Sequence, residues 1–279
     1  MNFGGNEVVC DYHDSRIIIL PVPYDETSTW MKGADKGPDA IMEASVNLEF
    51  YDIETNSEAY KHGIFTLEPL VEKSSPEDLV KSVYNKISFL LSEKKFPVIV
   101  GGNHTVSIGS VKAFAEVTNN FSVLQLDAHS DLRNVYDGSA FNHACVMARV
   151  KEMAPLVQVG IRSMAAEELE IVNYGRVFFA HDLYYDKSLY SKALDLLLDN
   201  VYITIDLDVF DPSLIPSTGT PEPGGPAYFE IMHFLRKVVS RKNVVGFDIV
   251  ELCPSPVNKS SDFIAAKIIY QLLSYVFAK

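Results

Sequence analysis

Residues 121–131 read Phe-Ser-Val-Leu-Gln-Leu-Asp-Ala-His-Ser-Asp, an apolar run that ends in three polar side chains at every second position. The run has the composition of a buried β-strand. Side chains of an extended chain alternate between two faces, so Asp127, His129 and Asp131 are predicted to point the same way at the strand's end. Two carboxylates that flank an imidazole in a buried place need a cation to neutralise them.

A second segment repeats this arrangement farther along the chain. Residues 201–205, Val-Tyr-Ile-Thr-Ile, are another apolar strand candidate, and Asp206-Leu207-Asp208 follows directly. An isolated Asp-x-Asp also occurs in calcium loops and in nucleotide-sugar enzymes. Together, however, the two strand ends collect five acidic or imidazole groups, which indicates a metal site with more than one ion.

Apolar, β-branched runs alternate with helical patterns along the whole chain. Strands are predicted at residues 16–20, 96–100, 121–126, 156–159, 177–179, 201–205 and 244–247. Helices are predicted at about residues 37–45, 76–94, 106–117, 164–173, 187–198, 226–240 and 260–277. This alternation indicates an α/β fold with a parallel sheet that helices cover on both faces. No repeat or linker divides the chain, so one domain over residues 1–279 is predicted. The sequence leaves open whether residues 6–14 form an ordered arm.

Four of the predicted strands end in polar residues. Gly101-Gly102-Asn103-His104 follows the second strand, and Glu251 lies just beyond the last one. Taken alone, the two glycines and His104 also fit a tight turn at a helix start. Because sites in open parallel sheets form at the carboxyl ends of strands, the four loops are expected to converge on one edge.

The predicted ligands contain carboxylates and imidazoles but no thiolate. Hard oxygen donors with some nitrogen favour Mn²⁺ over Zn²⁺, which draws more often on Cys or on several His. Six ligands are too many for one tetrahedral ion and suit two ions that share bridging carboxylates.

The charge and the cysteines limit the class of protein. A net charge of −13 disfavours nucleic acid or an anionic membrane as a partner and suits a small cationic substrate or a divalent metal. No apolar run approaches the ~18 residues of a membrane helix, and the N-terminus lacks the features of a signal peptide. Cys10, Cys145 and Cys253 form an odd, scattered set, which indicates free thiols and a cytoplasmic location.

Three motifs closely resemble the ureohydrolases, the family of arginase, agmatinase and formiminoglutamase. They are Gly101-Gly102-Asn103-His104, Asp127-Ala128-His129-Ser130-Asp131, and Asp206-Leu207-Asp208-Val209-Phe210-Asp211-Pro212 with Gly219-Thr220-Pro221-Glu222. The resemblance spans most of the chain, from Val22 to Glu251. It implies a three-layer α/β/α sandwich with a mostly parallel eight-stranded sheet. It also implies a dimanganese centre that hydrolyses guanidino groups to urea and an amine, and a homo-oligomer, commonly a trimer or a hexamer.

The resemblance also assigns roles to individual residues. The six metal positions are a pair for the first ion, a pair for the second ion and a pair that bridges both. In that order they are His104 and Asp131, His129 and Asp208, and Asp127 and Asp206. His143 falls where the family keeps a histidine that shuttles protons. Glu251 falls where a carboxylate grips the guanidinium, and Asp131 would also take part in proton transfer.

The segment between Asp131 and His143 bears on the substrate. Arginases carry a Ser-Gly-Asn-type stretch here for the amino-acid end of arginine, and that stretch is absent. Residues 142–149 are similar instead to agmatinase-type members, so agmatine, cleaved to putrescine and urea, is the predicted substrate. Arg133 keeps an alternative open: it could pair with the carboxylate of guanidinobutyrate or arginine, or it could bond within its own loop. Aminopropylagmatine and formiminoglutamate are further alternatives.

Two other classes of protein share features with this sequence. One is a binding protein that keeps the fold without catalysis, and the presence of all eight predicted site residues disfavours it. The other is a deacylase of the same fold with one Zn²⁺, which Glu251 and the two-ion ligand set disfavour.

Overall fold

The computed structural model describes residues 1–8 and 10–278, and eight strands of this part of the chain form one sheet. In chain order the strands are β1 (Ile17–Val22), β2 (Ile64–Thr66), β3 (Phe96–Gly101), β4 (Phe121–Leu126), β5 (Leu156–Ile161), β6 (Val177–Phe179), β7 (Asn200–Asp206) and β8 (Asn243–Val250). Their order in the sheet is β2-β1-β3-β8-β7-β4-β5-β6, and every neighbouring pair runs parallel.

Helices connect the strands. They are α1 (Gly37–Ser45), α2 (Pro76–Ser92), α3 (Val106–Val117), α4 (Val146–Met153), α5 (Ala180–Tyr185), α6 (Leu189–Leu196), α7 (Tyr228–Arg241) and α8 (Ser260–Phe277). Short 3-10 helices lie at Gly5–Val8, Ala34–Lys36, Ala59–His62, His143–Cys145, Ala166–Glu170 and Leu207–Val209. Within residues 1–8 and 10–278, no helix has both the length and the apolar content needed to cross a bilayer.

Alternating strand residues build two hydrophobic layers, one on each face of the sheet. In β1, Ile17 and Ile19 pack into the layer covered by α1, α6, α7 and α8, whereas Ile18 and Leu20 pack into the layer covered by α2, α3 and α4. All six β1 residues are buried, as are all six of β4 and β5. The predicted three-layer α/β/α arrangement is therefore confirmed.

Helix α2 shows how local sequence and packing agree. Ser75 caps the helix by accepting a hydrogen bond from the backbone N–H of Asp78 at 3.0 Å, and Pro76 occupies the first turn, where no backbone donor is needed. Leu79, Val83 and Leu90 recur at helical spacing and are fully buried. This apolar stripe attaches α2 to the sheet.

Most predicted elements are present, with ends that move by up to three residues. Strand β2 was not predicted from its own sequence, because three residues carry too little periodicity. The helix predicted at residues 164–173 is wrong, since only a 3-10 turn forms at Ala166–Glu170, and α4 and α5 were not predicted. Of the proposed arm at residues 6–14, Val9 lies outside the described residues, and the chain before it forms the 3-10 helix Gly5–Val8.

The four strands with polar ends are neighbours in the middle of the sheet. Their order is β3-β8-β7-β4, so their carboxyl ends form one continuous edge. Gly102 lets the loop after β3 approach the rest of this edge, because a Cβ on it would lie 2.0 Å from the carbonyl oxygen of Tyr24. The predicted convergence of four loops is what the topology produces.

Candidate metal-binding site and its cavity

The loops after β3, β4 and β7 bring a first group of three ligand-type side chains together: His104, Asp127 and Asp206. The Nδ1 atom of His104 lies 3.2 Å from Asp127 Oδ2 and 3.4 Å from Asp206 Oδ2. Asp131 joins this group, with its Oδ2 atom 3.2 Å from the same nitrogen. All four side chains are buried.

A second group lies beside the first and shares Asp127 with it. The Nδ1 atom of His129 lies 2.8 Å from Asp208 Oδ2 and 3.7 Å from Asp127 Oδ1. The two oxygens of Asp127 therefore face different histidines. The structure thus brings together all six residues that the sequence predicted as ligands, in two groups joined through one carboxylate.

A buried hydrogen-bond chain orients His104 from behind. The hydroxyl of Thr204 donates to Asp248 Oδ1 at 2.6 Å, so it is available to His104 Nε2, 2.8 Å away, only as an acceptor. Tyr202 donates to the other oxygen of Asp248 at 2.7 Å. His104 therefore carries its hydrogen on Nε2 in the neutral ring, which turns the free lone pair of Nδ1 toward the three carboxylates.

Asp127 is held by a similar set of donors. Gln125 donates through Nε2 to Asp127 Oδ2 at 2.7 Å, and Gln158 in turn donates to Gln125 Oε1 at 2.6 Å. The backbone N–H of His129 donates to Asp127 Oδ1 at 2.6 Å. Sequence reasoning missed both glutamines, whose only signal is that a polar residue stands inside an apolar strand.

Arg162 fixes the loop after β7. Its guanidinium donates to the carbonyl oxygens of five residues, and the 2.6 Å bond to Asp208 O is the shortest. The five acceptors are Gly160, Asp208, Val209, Phe210 and Glu222. This arginine was also missed, because its partners lie in three separate segments of the chain.

The crowded carboxylates shift one another's acidity. Burial raises the pKa of Asp127 to about 7, and repulsion from Asp208 and Asp131 adds to that effect. Asp206 is raised well above the usual carboxyl pKa for the same two reasons, burial and then repulsion from Asp208 and Asp127. Burial also opposes ionisation of Asp208, but the adjacent His129 outweighs it and brings the pKa of Asp208 to about 2.

These shifts and the donor set fit divalent cations. Nδ1 of His104 is buried and makes no hydrogen bond of acceptable geometry, although three carboxylate oxygens surround it. Burial lowers the pKa of His104, but Asp127, Asp131 and Asp206 outweigh it and raise the pKa well above its usual value. The cluster therefore attracts positive charge, and a metal ion supplies that charge without a proton.

Two carboxylates at this edge stand on left-handed backbone. Asp131 has φ 53° and Glu251 has φ 67°. Glu251 Oε1 accepts a hydrogen bond from the backbone N–H of His104 at 2.7 Å. Burial raises the pKa of Glu251 to about 8, and the charges of Asp208 and Asp131 contribute to this rise.

A cavity of about 280 Å³ opens above the carboxylates. We call its inner end, made by the six ligand-type residues, the floor, and its outer end the mouth. The mouth residues are Trp30, Met31, Arg133 and Tyr136. His143 and Glu251 also line the cavity, so all eight sequence-predicted residues are in or beside it, with the exception that Asp127 lies fully behind its surface.

His143 and Arg133 both lie near Tyr136. The ring of His143 meets Tyr136 edge to face at 6.3 Å, and burial lowers the pKa of His143. Arg133 covers the Tyr136 ring at 4.5 Å and approaches Glu167 Oε1 at 3.4 Å. Arg133 thus has partners on its own side of the cavity.

Comparison with known proteins gives the family. A model of the arginase family matches residues 15–274. An N(1)-aminopropylagmatine ureohydrolase from Synechocystis is 36% identical over 97% of this chain and 92% of its own. An agmatinase from Pyrococcus horikoshii is 34% identical over 94% and 93%. The crystal structure of an agmatine ureohydrolase from Thermoplasma volcanium superposes with a TM-score of 0.90 at 29% identity, covering 99% of this chain and 94% of the other. The predicted resemblance is confirmed: the chain belongs to the arginase family of hydrolases.

Proposed function

We propose that this chain is a dimanganese ureohydrolase that cleaves agmatine to putrescine and urea. The observation that carries the proposal is the pair of ligand groups joined through Asp127 on the floor of a cavity that also holds Glu251. A single-ion site would leave one of the two groups as a buried cluster of repelling charges. Manganese is favoured because all six ligands are carboxylates or imidazoles.

Each ligand has a proposed place in the centre. His104 and Asp131 would hold one ion and His129 and Asp208 the other. Asp127 and Asp206 would bridge them, which agrees with the contact of Asp127 with both histidines. When bound, the two ions supply a water molecule acidified to near neutral pH, together with positive charge for the developing negative charge of the reaction.

The remaining groups of the cavity hold the substrate and move protons. Glu251 binds the guanidinium and keeps its carbon in line for attack. Hydrolysis forms a carbon–oxygen bond and breaks the carbon–nitrogen bond to the amine, which leaves only after it has gained a proton. Asp131 delivers that proton, and His143, whose lowered pKa keeps it neutral, exchanges protons with solvent.

The surroundings of Arg133 favour a substrate without a carboxylate. Its guanidinium lies against Glu167 and the Tyr136 ring, so its charge is already partly satisfied. We expect Arg133→Ala to lower agmatine turnover by less than about tenfold and to leave the order of substrate preference unchanged. If the wild-type protein prefers guanidinobutyrate or arginine and loses that preference with Arg133→Ala, agmatine is the wrong substrate.

A second candidate substrate is N(1)-aminopropylagmatine. The relative from Synechocystis bears that name, and it aligns with 97% of this chain. This substrate carries the same guanidinium on a longer amine-terminated arm, so the floor of the site would treat both alike and the mouth would distinguish them.

The deciding experiment is a urea-release panel with Mn²⁺-loaded protein. The substrates are agmatine, aminopropylagmatine, arginine, guanidinobutyrate and formiminoglutamate, the last followed by glutamate release. Metal analysis accompanies the panel, and two manganese ions per chain with the highest kcat/KM on agmatine is the expected result. About one zinc per chain with deacylation of acetylated amines would replace the proposal with the deacylase alternative. No turnover of any substrate would leave a binding protein.

We also propose that the chain acts as a single domain in the cytoplasm and assembles as a trimer or hexamer. One sheet runs through the described residues, and Cys10, Cys145 and Cys253 form no disulfide there. The subunit count follows from the family resemblance, and light scattering after gel filtration measures it.

A further inference from the structure

Trp30 occupies an unusual place for a large apolar side chain. It is the only tryptophan of the chain, it is 76% exposed, and it lines the same cavity as His104 and Glu251. Single exposed apolar residues are common on protein surfaces. A tryptophan at the open end of a charged cavity is different, because any ligand that enters must pass its ring.

The loop that carries Trp30 is held in place at both ends. Asp25 Oδ2 accepts a hydrogen bond from the backbone N–H of Gly33 at 2.6 Å, which closes the loop. Lys32 donates to Asp25 O at 2.6 Å. Asn103, next to His104, donates to Thr27 Oγ1 at 2.7 Å and ties the loop to the floor. The indole is therefore presented from a support that is fixed relative to the reacting centre.

The other groups near the mouth already have partners. The Tyr136 ring is covered by Arg133. The buried carboxylate of Glu168 accepts three bonds of 2.6 to 2.7 Å, from Ser130 Oγ, Leu132 N and Ala165 N. Within residues 1–8 and 10–278, in contrast, no cation lies over the face of Trp30. Trp30 is thus the aromatic surface at the mouth that a cationic ligand can use.

We propose that Trp30 is a specificity-determining residue that binds the amine-terminated arm of the substrate. The inference rests on the proposed function, in which Glu251 holds the guanidinium at the inner end of the cavity. A substrate held there directs its other end toward the mouth. An ammonium or a methylene chain gains from contact with an indole face, since tryptophan is the strongest cation–π partner. A carboxylate is repelled by the same electron-rich face.

The inference orders substrates by the chemistry of the far end of the arm. Guanidino compounds that end in an amine are preferred over compounds of similar length that end in a carboxylate. Because Trp30 is at the outer end of the cavity, its contribution is largest for the longer amine-terminated arm. This ordering separates the role of Trp30 from that of Glu251, which contacts the group common to all the substrates.

Kinetics of three variants test the inference. Trp30→Ala is expected to lower kcat/KM for agmatine about fivefold, mainly through KM, and to change kcat/KM for guanidinobutyrate by less than about twofold. Trp30→Phe keeps an aromatic face and should recover most of the loss. Phe229→Ala is the matched control, because Phe229 is 73% exposed on α7 and lies outside the cavity lining. An equal loss on both substrates would mean a structural role for Trp30 and would overturn the inference.

Fluorescence gives a readout that does not depend on turnover rates. Since Trp30 is the only tryptophan, the indole emission of the protein reports on this residue alone. In Mn²⁺-loaded His143→Ala protein, agmatine is expected to shift that emission with a saturable dependence on concentration, and guanidinobutyrate to shift it less. No shift at saturating agmatine contradicts the inference, as does a change in oligomer mass on Trp30→Ala, which would make Trp30 a subunit contact. If the wild-type protein releases urea while Trp30→Ala keeps its substrate preference, only this inference fails; if the wild type releases no urea, the proposed function fails.

Discussion

The floor and the mouth of the cavity are built in different ways. Floor side chains are buried, and a second layer of hydrogen bonds holds them, as Thr204 holds His104 and Gln125 holds Asp127. Mouth side chains are exposed and make few contacts, with Trp30 as the extreme. The difference teaches that the reaction type is fixed by an over-determined inner structure, whereas substrate choice depends on a few residues that can change without harm to the fold.

The strongest way to break this contrast is to remove the shared floor carboxylate. Asp127→Asn keeps the size of the side chain but loses the charge that both ligand groups use. We expect loss of both ions on dialysis and a fall in urea release of about 10³-fold or more. Metal analysis and urea release measure the two effects. His104→Ala should weaken mainly one ion, and Asp182→Asn, an exposed acid, should change neither. Two ions retained by Asp127→Asn would refute a bridging role.

His143 tests whether the wall of the cavity contributes to chemistry. Because its proposed role is proton exchange, His143→Ala should retain both ions and lower kcat by about 10²–10⁴-fold. Steady-state urea release gives kcat, and His181→Ala is the control, since the His181 side chain is 69% exposed. A nearly unchanged kcat would remove His143 from the mechanism.

Thr204 sharpens the contrast, because it acts on the floor from behind. Thr204→Val keeps the shape of the side chain and removes the acceptor for His104 Nε2. Loss of such a partner typically costs 10–100-fold in metal affinity. We expect that loss for one of the two ions only, as measured by calorimetric titration.

Two matched variants accompany the Thr204 experiment. Thr204→Ser keeps the hydroxyl and should restore affinity. Tyr202→Phe removes a donor to Asp248 but leaves Thr204 as the acceptor, so it should bind both ions nearly as the wild type does. Equal weakening of both ions by Thr204→Val would mean a general packing defect instead of an oriented ring.

The smallest expected effect concerns the metal-free fold and pH. The pKa values of Asp127 and Glu251, about 7 and about 8, lie above those of the unfolded chain, so ionisation of these groups costs stability as pH rises from about 4 to 8. His104 acts in the same direction, because its raised pKa gives stability that is lost at high pH. The Tm of metal-free protein should therefore fall by several degrees between pH 5 and pH 8, and the gap to Mn²⁺-loaded protein should widen. A metal-free Tm that rises over this interval would contradict the assigned shifts.

The floor was largely predictable and its supports were not. Asp127, His129 and Asp131 follow a strand at alternating positions, so period-two geometry and the strand-end rule place them without any knowledge of tertiary contacts. The contacts of Arg162 and of Asp248 join segments more than 40 residues apart, and no local pattern contains them. Strand β2 needed the sheet to define it, since three residues pair with β1 only after β1 is in place. Trp30 was overlooked because a lone aromatic residue in a loop has no periodic signature.

The left-handed backbone at Glu251 has a consequence for protein engineering. A non-glycine residue at φ 67° costs roughly 1–2 kcal/mol, because its Cβ crowds the neighbouring carbonyl oxygen. Glycine at position 251 would relieve that crowding and remove a buried carboxyl group at the same time. A selection for heat resistance alone would therefore favour variants in which the guanidinium is no longer held. Any campaign to stabilise this enzyme has to select for urea release in the same round.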